Sequence, residues 1–146
     1  MPSQVDVLLV EDNRQDAELI IRALRRHNLA DRLQHVKDGA QALDFLFGTS
    51  PSDNGVQALK VIILDLKLPK VDGLEVLRRL KADERTTLIP VVVLTSSTVP
   101  QDVTDSYKRG ANSYVSKPVQ YEDFVSTISE LALYWLRKNT PAGQPA

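Results

Sequence analysis

Short runs of apolar, largely β-branched residues alternate along this chain with longer segments whose apolar residues have helical spacing. This alternation limits the fold more than any other feature, because it is typical of repeated strand-helix units that build a parallel sheet covered on both faces. The sequence therefore predicts an α/β fold with five such units. The predicted strands are Val5–Val10, Arg32–Val36, Lys60–Leu64, Pro90–Thr95 and Ser113–Ser116.

The segments between the strands predict helices and two irregular regions. Helical spacing places helices over Gln15–His27 and Gly73–Lys81, and Asp38 opens another. Two further helices are expected after the fourth and fifth strands. The segment Gly48–Gly55 is rich in Ser, Pro, Asp and Asn and predicts a surface loop. The tail Thr140–Ala146 is expected to be disordered.

The size and composition of the chain suit one domain, predicted over residues 1–139. The chain has 146 residues, of which 42% are hydrophobic, enough for one core. Its 18 basic and 19 acidic residues give a net charge of -1 without a basic cluster, which argues against nucleic-acid binding. There is no cysteine, so a thiolate metal site is excluded. Without a signal-peptide pattern or a membrane-length apolar run, a cytoplasmic location without membrane contact is expected.

Polar residues follow three of the predicted strands. Glu11 and Asp12 come directly after the first strand, and Asp65 follows the third. Lys117 follows the fifth. In a doubly wound sheet with strand order 2-1-3-4-5, the first and third strands are neighbours, and ligands bind beyond their carboxyl ends. The three acids and the ammonium group are therefore expected to meet in one small pocket.

This set of groups suits phosphoryl transfer. Mg²⁺ prefers oxygen ligands and takes carboxylates together with phosphate oxygens and water. A carboxylate beside the ion can attack a phosphoryl group to form an aspartyl phosphate, and a lysine stabilises the transferring charge. Acids after strands are also common as helix caps, and Asp12 or Asn13 could cap the next helix. Two acidic clusters after neighbouring strands, together with Lys117, favour a functional pocket.

Two further positions are expected at this pocket. Thr95 ends the fourth strand, so its hydroxyl would face the pocket, although β-branched residues are common at any strand end. A cis bond at Lys117-Pro118 would aim the lysine inward, whereas an ordinary Lys-Pro pair lies in a solvated loop, and the sequence leaves the isomer open. His27 and His35 have no partner signature and are expected at the surface or the sheet edge.

The ordered motifs resemble the receiver domains of two-component response regulators over nearly the whole chain. The resemblance implies a single flavodoxin-like (βα)5 domain that signals after accepting a phosphoryl group from a histidine kinase, rather than an enzyme for other substrates. The motifs are Leu8–Asn13, Val61–Asp65 followed by Pro69 and Asp72-Gly73, Val91–Ser96, and Gly110-Ala111 through Tyr114 to Lys117-Pro118. The implied roles are phosphoacceptor for Asp65, Mg²⁺ ligands for Glu11, Asp12, Asp65 and the backbone carbonyl of Lys67, phosphoryl contact for Lys117, and a switch pair for Thr95 and Tyr114.

A narrower resemblance is to the stand-alone receivers that partner bacterial phytochrome kinases. It rests on the opening Glu11-Asp12-Asn13, on Tyr134-Trp135-Leu136, and on the expected absence of an output domain. It implies a bacteriophytochrome histidine kinase as the partner. Related single-domain receivers serve other kinases and phosphorelays.

Three other functions use the same architecture. A phosphatase of the aspartyl-phosphate type commonly needs a second carboxylate two residues after the nucleophile, where this chain has Lys67. A nucleotide binder needs a glycine- and hydroxyl-rich phosphate loop, where this chain has Glu11-Asp12, which would repel an anion. The complete acidic set counts against a phosphorylation-independent interaction module, which the sequence leaves open.

The last predicted helix also predicts a homodimer. From Tyr121 onward it carries a core-facing apolar stripe, and Leu133, Tyr134 and Leu136 extend the apolar surface around the remaining circumference. A helix that is apolar all round is buried on more than one side, so we expect a symmetric contact between two copies. The alternative is that Tyr134 and Leu136 fold back onto their own domain. Trp135 is expected to serve packing or the interface.

Overall fold

The computed structural model of the protein describes residues 4–48, 56 and 58–143. The predicted strands and helices are confirmed, and their ends differ from the expected positions by at most two residues. The strands are β1 (Val7–Val10), β2 (Leu33–Val36), β3 (Val61–Leu64), β4 (Val91–Thr95) and β5 (Ser113–Ser116). The helices are α1 (Arg14–Arg26), α2 (Gly39–Phe47), α3 (Gly73–Ala82), α4 (Pro100–Lys108) and α5 (Tyr121–Leu133), and α5 continues as a π-helical turn over Tyr134–Lys138.

The sheet is fully parallel, with the strand order β2-β1-β3-β4-β5 that the sequence predicted. Val10 lies beside Leu64 in the register, so the residues that follow them, Glu11 and Asp65, leave the sheet side by side. The last residues of β4 and β5 are also paired, which brings Lys117 to the same edge. Strand pairing alone therefore collects the predicted polar residues.

Successive residues of the central strands point to opposite faces of the sheet, and two hydrophobic cores result. The core below α2 and α3 includes Leu8, Val10, Leu43, Ile62, Leu64, Leu77 and Leu80. The core below α1 and α5 includes Val7, Leu9, Ile20, Leu24, Ile63, Val92, Phe124 and Ile128. Because both faces are covered, the central strands are apolar until they end, and polar groups first appear where the chain leaves the sheet.

Side-chain caps fix the starts of α1, α2 and α3 at this edge, whereas α4 and α5 begin without one. In α1, α2 and α3, the Oδ1 atom of Asn13, Asp38 or Asp72 accepts the backbone N–H of the residue three positions later. Asn13 is thus the cap of α1, and the Asp12 carboxylate stays free of that task. A Cβ atom at Gly73 would collide with the backbone of Asp65, so α3 starts directly against the end of β3.

The end of α5 differs from the expected all-apolar surface. Tyr134 is 49% exposed, but Leu136 is only 7% exposed and belongs to the core below α1 and α5. The backbone N–H of Asn139 donates to the carbonyl of Tyr134 in this wider turn. Leu136 follows Ala132 by four residues, so both side chains lie on the core side of the helix. The prediction that Leu136 extends an interface is wrong, because the residue folds back onto its own domain. Trp135 packs against the same core, as expected.

The two irregular regions are described only in part. Gly48 ends α2, and the rest of the predicted loop over 49–55 lies outside the described residues. The predicted tail is described as far as Gly143, and Pro141 and Ala142 line a shallow pocket together with Leu59 and Leu88. Within the described ranges, no helix has the length and apolar character needed to cross a bilayer.

Candidate functional site at the carboxyl edge of the sheet

The carboxyl edge of the sheet brings together the three predicted acids. Glu11 is 1% exposed and Asp65 is 7% exposed, whereas Asp12 is open to solvent. One carboxylate oxygen from each of the three lies within 4.8 Å of the others. The strands themselves are buried and apolar, so the acids lie at the first residues after β1 and β3. Because these strands are neighbours, the acids meet there.

Lys117 enters the same pocket from the end of β5. Its backbone N–H donates to the Thr95 carbonyl at 2.7 Å, and its peptide bond to the following proline is trans. A backbone hydrogen bond, rather than a cis bond, therefore fixes the direction of the chain here. The Nζ atom lies 2.8 Å from Glu11 Oε1, 2.8 Å from Asp16 Oδ2 and 3.0 Å from Asp65 Oδ2.

Burial and the charges of the pocket together shift the pKa values of Glu11 and Lys117. Burial raises the pKa of Glu11 to about 7, against the hydrogen bond from Lys117, and the charge of Asp65 adds to the effect of burial. Burial acts to lower the pKa of Lys117, but its hydrogen bonds to Asp16 and Glu11 outweigh burial and hold that pKa above its usual value. The ammonium group is therefore charged near neutral pH, while Glu11 exchanges a proton in that range.

The oxygen atoms of the pocket fit a hard divalent cation. Glu11, Asp12 and Asp65 supply carboxylates within reach of one another, and oxygen ligands are what Mg²⁺ or Mn²⁺ prefers. The chain after β3 folds back, so that the Lys67 N–H donates to Asp65 Oδ1 at 3.3 Å. The backbone of Lys67, predicted to supply a carbonyl ligand, therefore lies next to the Asp65 carboxylate.

The predicted switch residues are connected through Ser97. Thr95 is buried at the end of β4, and its Oγ1 atom accepts the Ser97 N–H at 3.4 Å. Tyr114 is half-buried on β5, and its hydroxyl donates to the Ser97 carbonyl at 3.0 Å. The Ser97 hydroxyl donates in turn to Asp102 Oδ2 at 2.5 Å, in the first turn of α4. Ser97 is therefore in contact with Thr95, with Tyr114 and with α4.

Three residues of this edge were not foreseen. Asp16 lies in the first turn of α1, where acids are common because they stabilise a helix N-terminus. No sequence signal therefore pointed to its contact with Lys117. Ser97 and Asp102 resemble ordinary residues of a loop and a helix start. Asp16 and Lys117 are 101 positions apart in the chain, so only tertiary packing brings the first turn of α1 next to the residue that follows β5.

The histidines lie where the sequence placed them. His35 is half-buried on the edge strand β2, and its Nε2 atom makes a hydrogen bond of 2.9 Å with the Glu11 carbonyl. His27 ends α1, and its backbone carbonyl accepts a hydrogen bond from Arg137 at 2.7 Å. Neither contact involves a carboxylate of the pocket, so both are positions of structural support.

A parallel sheet of this order with acids and a lysine at its carboxyl edge defines a class of signalling protein. The model of the response regulator receiver domain matches residues 7–129 of the chain. The chain therefore belongs to the response regulator receiver family. Receivers accept a phosphoryl group from a histidine kinase and have autophosphorylation and autodephosphorylation activity, with Mg²⁺ or Mn²⁺ bound at an acidic site.

Individual relatives resemble the chain over nearly its whole length. FilR2, a probable methanogenesis regulatory protein of Methanothrix harundinacea, is 44% identical over 138 residues, which are 94% of this chain and 87% of that protein. Response regulator Rcp1 of Synechocystis is 35% identical over 134 residues, which are 92% and 90% of the two chains.

Solved structures confirm the flavodoxin-like receiver fold. Phosphorylated RcpA, a cyanobacterial phytochrome response regulator, matches with a TM-score of 0.88 at 33% identity, over 97% of this chain and 100% of that chain. Mn²⁺-bound Rcp1 matches with a TM-score of 0.86 at 35% identity, over 99% and 100% of the two chains. One of these relatives was thus captured with a phosphoryl group and the other with a divalent cation.

Proposed function

We propose that Asp65 is the phosphoacceptor of this receiver. The observation that carries the proposal is the Lys117 ammonium group, 3.0 Å from Asp65 Oδ2 in the three-acid pocket. Glu11 is the less suitable nucleophile, because its two oxygens accept short hydrogen bonds, from Lys117 at 2.8 Å and from the Asn13 N–H at 3.0 Å. Asp65 Oδ2 accepts from Lys117 at 3.0 Å, and the one bond to its Oδ1 atom from the described residues is the long bond of 3.3 Å from the Lys67 N–H.

In the proposed reaction, an Asp65 oxygen attacks the phosphorus atom of phosphohistidine. The new oxygen–phosphorus bond forms while the phosphorus–nitrogen bond breaks, and the bond electrons return to the imidazole, which takes up a proton. Lys117 faces the charge on the phosphoryl oxygens, and the Thr95 hydroxyl donates to one of them. These two residues position the group and stabilise its charge.

Glu11, Asp12, Asp65 and the backbone carbonyl of Lys67 are the proposed ligands of Mg²⁺. When bound, the ion supplies positive charge that offsets the approach of an anionic phosphoryl group to three carboxylates. The carboxylates provide that site because strand pairing brings one oxygen of each within 4.8 Å of the others, and Lys117 is the one ammonium group that pairs with them in the described part of the chain.

The proposed signal passes through Thr95, Ser97 and Tyr114. A Thr95 hydroxyl that turns toward the phosphoryl group gives up the hydrogen bond from the Ser97 N–H, which is already long at 3.4 Å. Ser97 also accepts from the Tyr114 hydroxyl, so its displacement changes how the ring is held against β5 and α4. The surface formed by α4, β5 and α5 is the part of the protein that a partner would read.

Labelling with acetyl phosphate and Mg²⁺ tests the phosphoacceptor. The wild type should become phosphorylated, and Asp65→Asn should take up no label because the amide is not a nucleophile of comparable strength. Asp31→Asn, an exposed acid away from the pocket, is the matched control and should be labelled normally. Undiminished labelling of Asp65→Asn would overturn the assignment.

We propose a bacteriophytochrome histidine kinase as the phosphodonor in the cell. RcpA, described as a phytochrome response regulator, supports this choice through its likeness over 97% of the chain. FilR2 is more similar in sequence, at 44%, and belongs to a different regulatory context, so other kinases must be compared directly. Phosphotransfer from each purified kinase of the source organism should be fastest from the phytochrome kinase, and faster transfer from another kinase would assign the partner elsewhere.

We also propose a homodimer that uses the exposed face at the end of α5. Its centre is Tyr134, which is 49% exposed and meets the Trp135 ring edge to face at 5.0 Å. Sedimentation should show a wild-type dimer at micromolar concentration and a monomer for Tyr134→Asp. Leu88→Asp, at an apolar residue outside α5 that is 72% exposed, should still dimerise. A monomeric wild type would refute the proposal.

A further inference from the structure

Lys117 has a third carboxylate partner that the phosphoacceptor chemistry does not use. Asp16 Oδ2 lies 2.8 Å from Nζ, closer than the 3.0 Å to Asp65 Oδ2. The Lys117 side chain is 8% exposed and that of Asp16 is 25% exposed, so water screens this ion pair only in part. Asp16 lies on α1 and is not a member of the three-acid cluster.

The three acceptors of the Lys117 ammonium group have different roles when the pocket contains a metal ion and a phosphoryl group. Glu11 and Asp65 are proposed metal ligands, and Asp65 also accepts the phosphoryl group. Their oxygens therefore bind the metal ion or phosphorus during the reaction and are less available to Lys117. Asp16 has neither role, so its carboxylate can accept from the Lys117 ammonium group throughout the reaction. A lysine side chain has four rotatable carbon bonds and loses its placement easily when its acceptors are withdrawn.

The position of the Asp16 carboxylate is itself well fixed. The backbone N–H of Asp16 donates to Asn13 Oδ1 at 2.9 Å, which is the cap of α1. The N–H of Asn13 donates to Glu11 Oε2 at 3.0 Å, so the start of the helix is attached to the acidic pocket. Asp16 therefore holds Lys117 from a rigid helix turn rather than from a loop.

We propose that Asp16 is a positioning residue for the phosphoryl transfer, and that it keeps the Lys117 ammonium group aimed at Asp65 while the other two acceptors change partners. This inference rests on the proposed role of Asp65 and Lys117. Asp16 acts as a hydrogen-bond acceptor of fixed direction, and this predicts that an amide oxygen at the same place can replace the carboxylate.

The experiment measures phosphorylation by acetyl phosphate at saturating Mg²⁺, which removes any effect of kinase docking on α1. Asp16→Ala should lower the maximal rate roughly tenfold, as a small misplacement of a catalytic group does, with little change in the half-saturating donor concentration. Asp16→Asn should retain the rate within roughly twofold, because its Oδ1 atom still accepts from Nζ. Glu18→Ala is the matched control, since Glu18 is an exposed acid of the same helix that pairs with Arg14.

A double variant separates positioning from a change in folding or overall charge. In the Lys117→Met background, Asp16→Ala should have no further effect on the rate, because the group it positions is gone. Equal rates for Asp16→Ala and the wild type, or a faster Asp16→Ala, would overturn the inference while wild-type labelling leaves the function of Asp65 intact. A slow Asp16→Asn or an additive double variant would also overturn it. Failure of wild-type labelling would instead refute the proposed function.

Discussion

Two partly buried lysines lie at opposite edges of the sheet and have opposite surroundings. Lys117, at the carboxyl edge, donates to carboxylates. Lys81, at the end of α3, donates to the carbonyls of Thr87 at 3.0 Å and Ile89 at 2.7 Å, and to Asn112 Oδ1 at 3.3 Å. Both ammonium groups therefore have three acceptors, but the described acceptors of Lys81 are all neutral.

The difference appears in the pKa values and in the packing. Burial lowers the pKa of Lys81, and no charged partner among the described residues reverses the shift, whereas the carboxylates raise the pKa of Lys117. The stem of Lys81 is also fixed by Gly110, where φ is +102° and a Cβ atom would lie 2.7 Å from Lys81 Cγ. A lysine among neutral carbonyls joins elements of the fold, whereas the ammonium group of a lysine among carboxylates can redirect a hydrogen bond to an arriving anion.

The largest expected effect is on the rate of phosphorylation, which should depend on Lys117 and not on Lys81. Lys117→Met removes the positive charge that lies 3.0 Å from Asp65 Oδ2, so the rate of labelling by acetyl phosphate should fall roughly 100-fold, as when a charge-stabilising donor is lost. Lys81→Met should be labelled at the wild-type rate. Phosphoprotein electrophoresis over time measures both, and similar rates for the two variants would contradict the division.

The next effect separates them by stability. Lys81→Met keeps the length of the side chain but removes the donor from the carbonyls of Thr87 and Ile89, whereas Asn112 Oδ1 still accepts the Val91 N–H at 2.8 Å. The free energy of unfolding should therefore fall by about 1 to 2 kcal/mol. Urea unfolding measures the change. The rise in melting temperature on adding Mg²⁺ should be the same as in the wild type, and a lost Mg²⁺ response would mean that Lys81 also serves the acidic pocket.

A smaller effect concerns the pH dependence of Mg²⁺ binding at the carboxyl edge of the sheet. Since the pKa of Glu11 is raised to about 7, the cation displaces a proton below this pH, and Mg²⁺ affinity should weaken roughly tenfold between pH 8 and pH 6. Titration calorimetry measures it. Without Mg²⁺, the free energy of unfolding contributed by Glu11 should fall as pH rises from its usual pKa of 4.5 to about 7, because the folded state binds the proton more tightly.

Two variants check that pH prediction. Glu11→Gln cannot titrate and should lose most of the pH dependence of Mg²⁺ binding. Lys81→Met should keep it, since that lysine is remote from the acids. Mg²⁺ affinity that is constant between pH 6 and pH 8 in the wild type would show that Glu11 is already fully ionised there.

The smallest effect is expected at a third lysine, which serves as a reference for an exposed pair. Lys70 lies 3.7 Å from Asp38 Oδ2, but its side chain is 69% exposed. Lys70→Met should change the free energy of unfolding by less than about 0.5 kcal/mol, because exposed ion pairs are weak and screened. A loss as large as that of Lys81→Met would mean that the attachment of α2 to the loop after β3 depends on this pair.

The fold and most of the pocket were predictable because they depend on short-range patterns. Apolar runs at Leu8–Val10 and Val61–Leu64 identify buried strands, and the rule for doubly wound sheets then places Glu11 and Asp65 at neighbouring strand ends. The register confirms this placement. The predicted surface of α5 was partly wrong, because Leu136 lies one helical turn after Ala132 and two turns after Ile128, on the core-facing stripe, and is buried with them.

The sequence by itself determined the alternation of strands and helices and the two-sided burial, since both follow from periodicity. The strand order of a doubly wound sheet, which the resemblance to receivers implied, then predicted that the three acids would meet Lys117 where the strands end. Only the tertiary structure decided which acceptors each lysine obtains. The pairing of Asp16 with Lys117 and the neutral surroundings of Lys81 depend on how helices pack against the sheet. Contacts between residues far apart in the chain are set by that packing, and no local pattern of residue types encodes their direction.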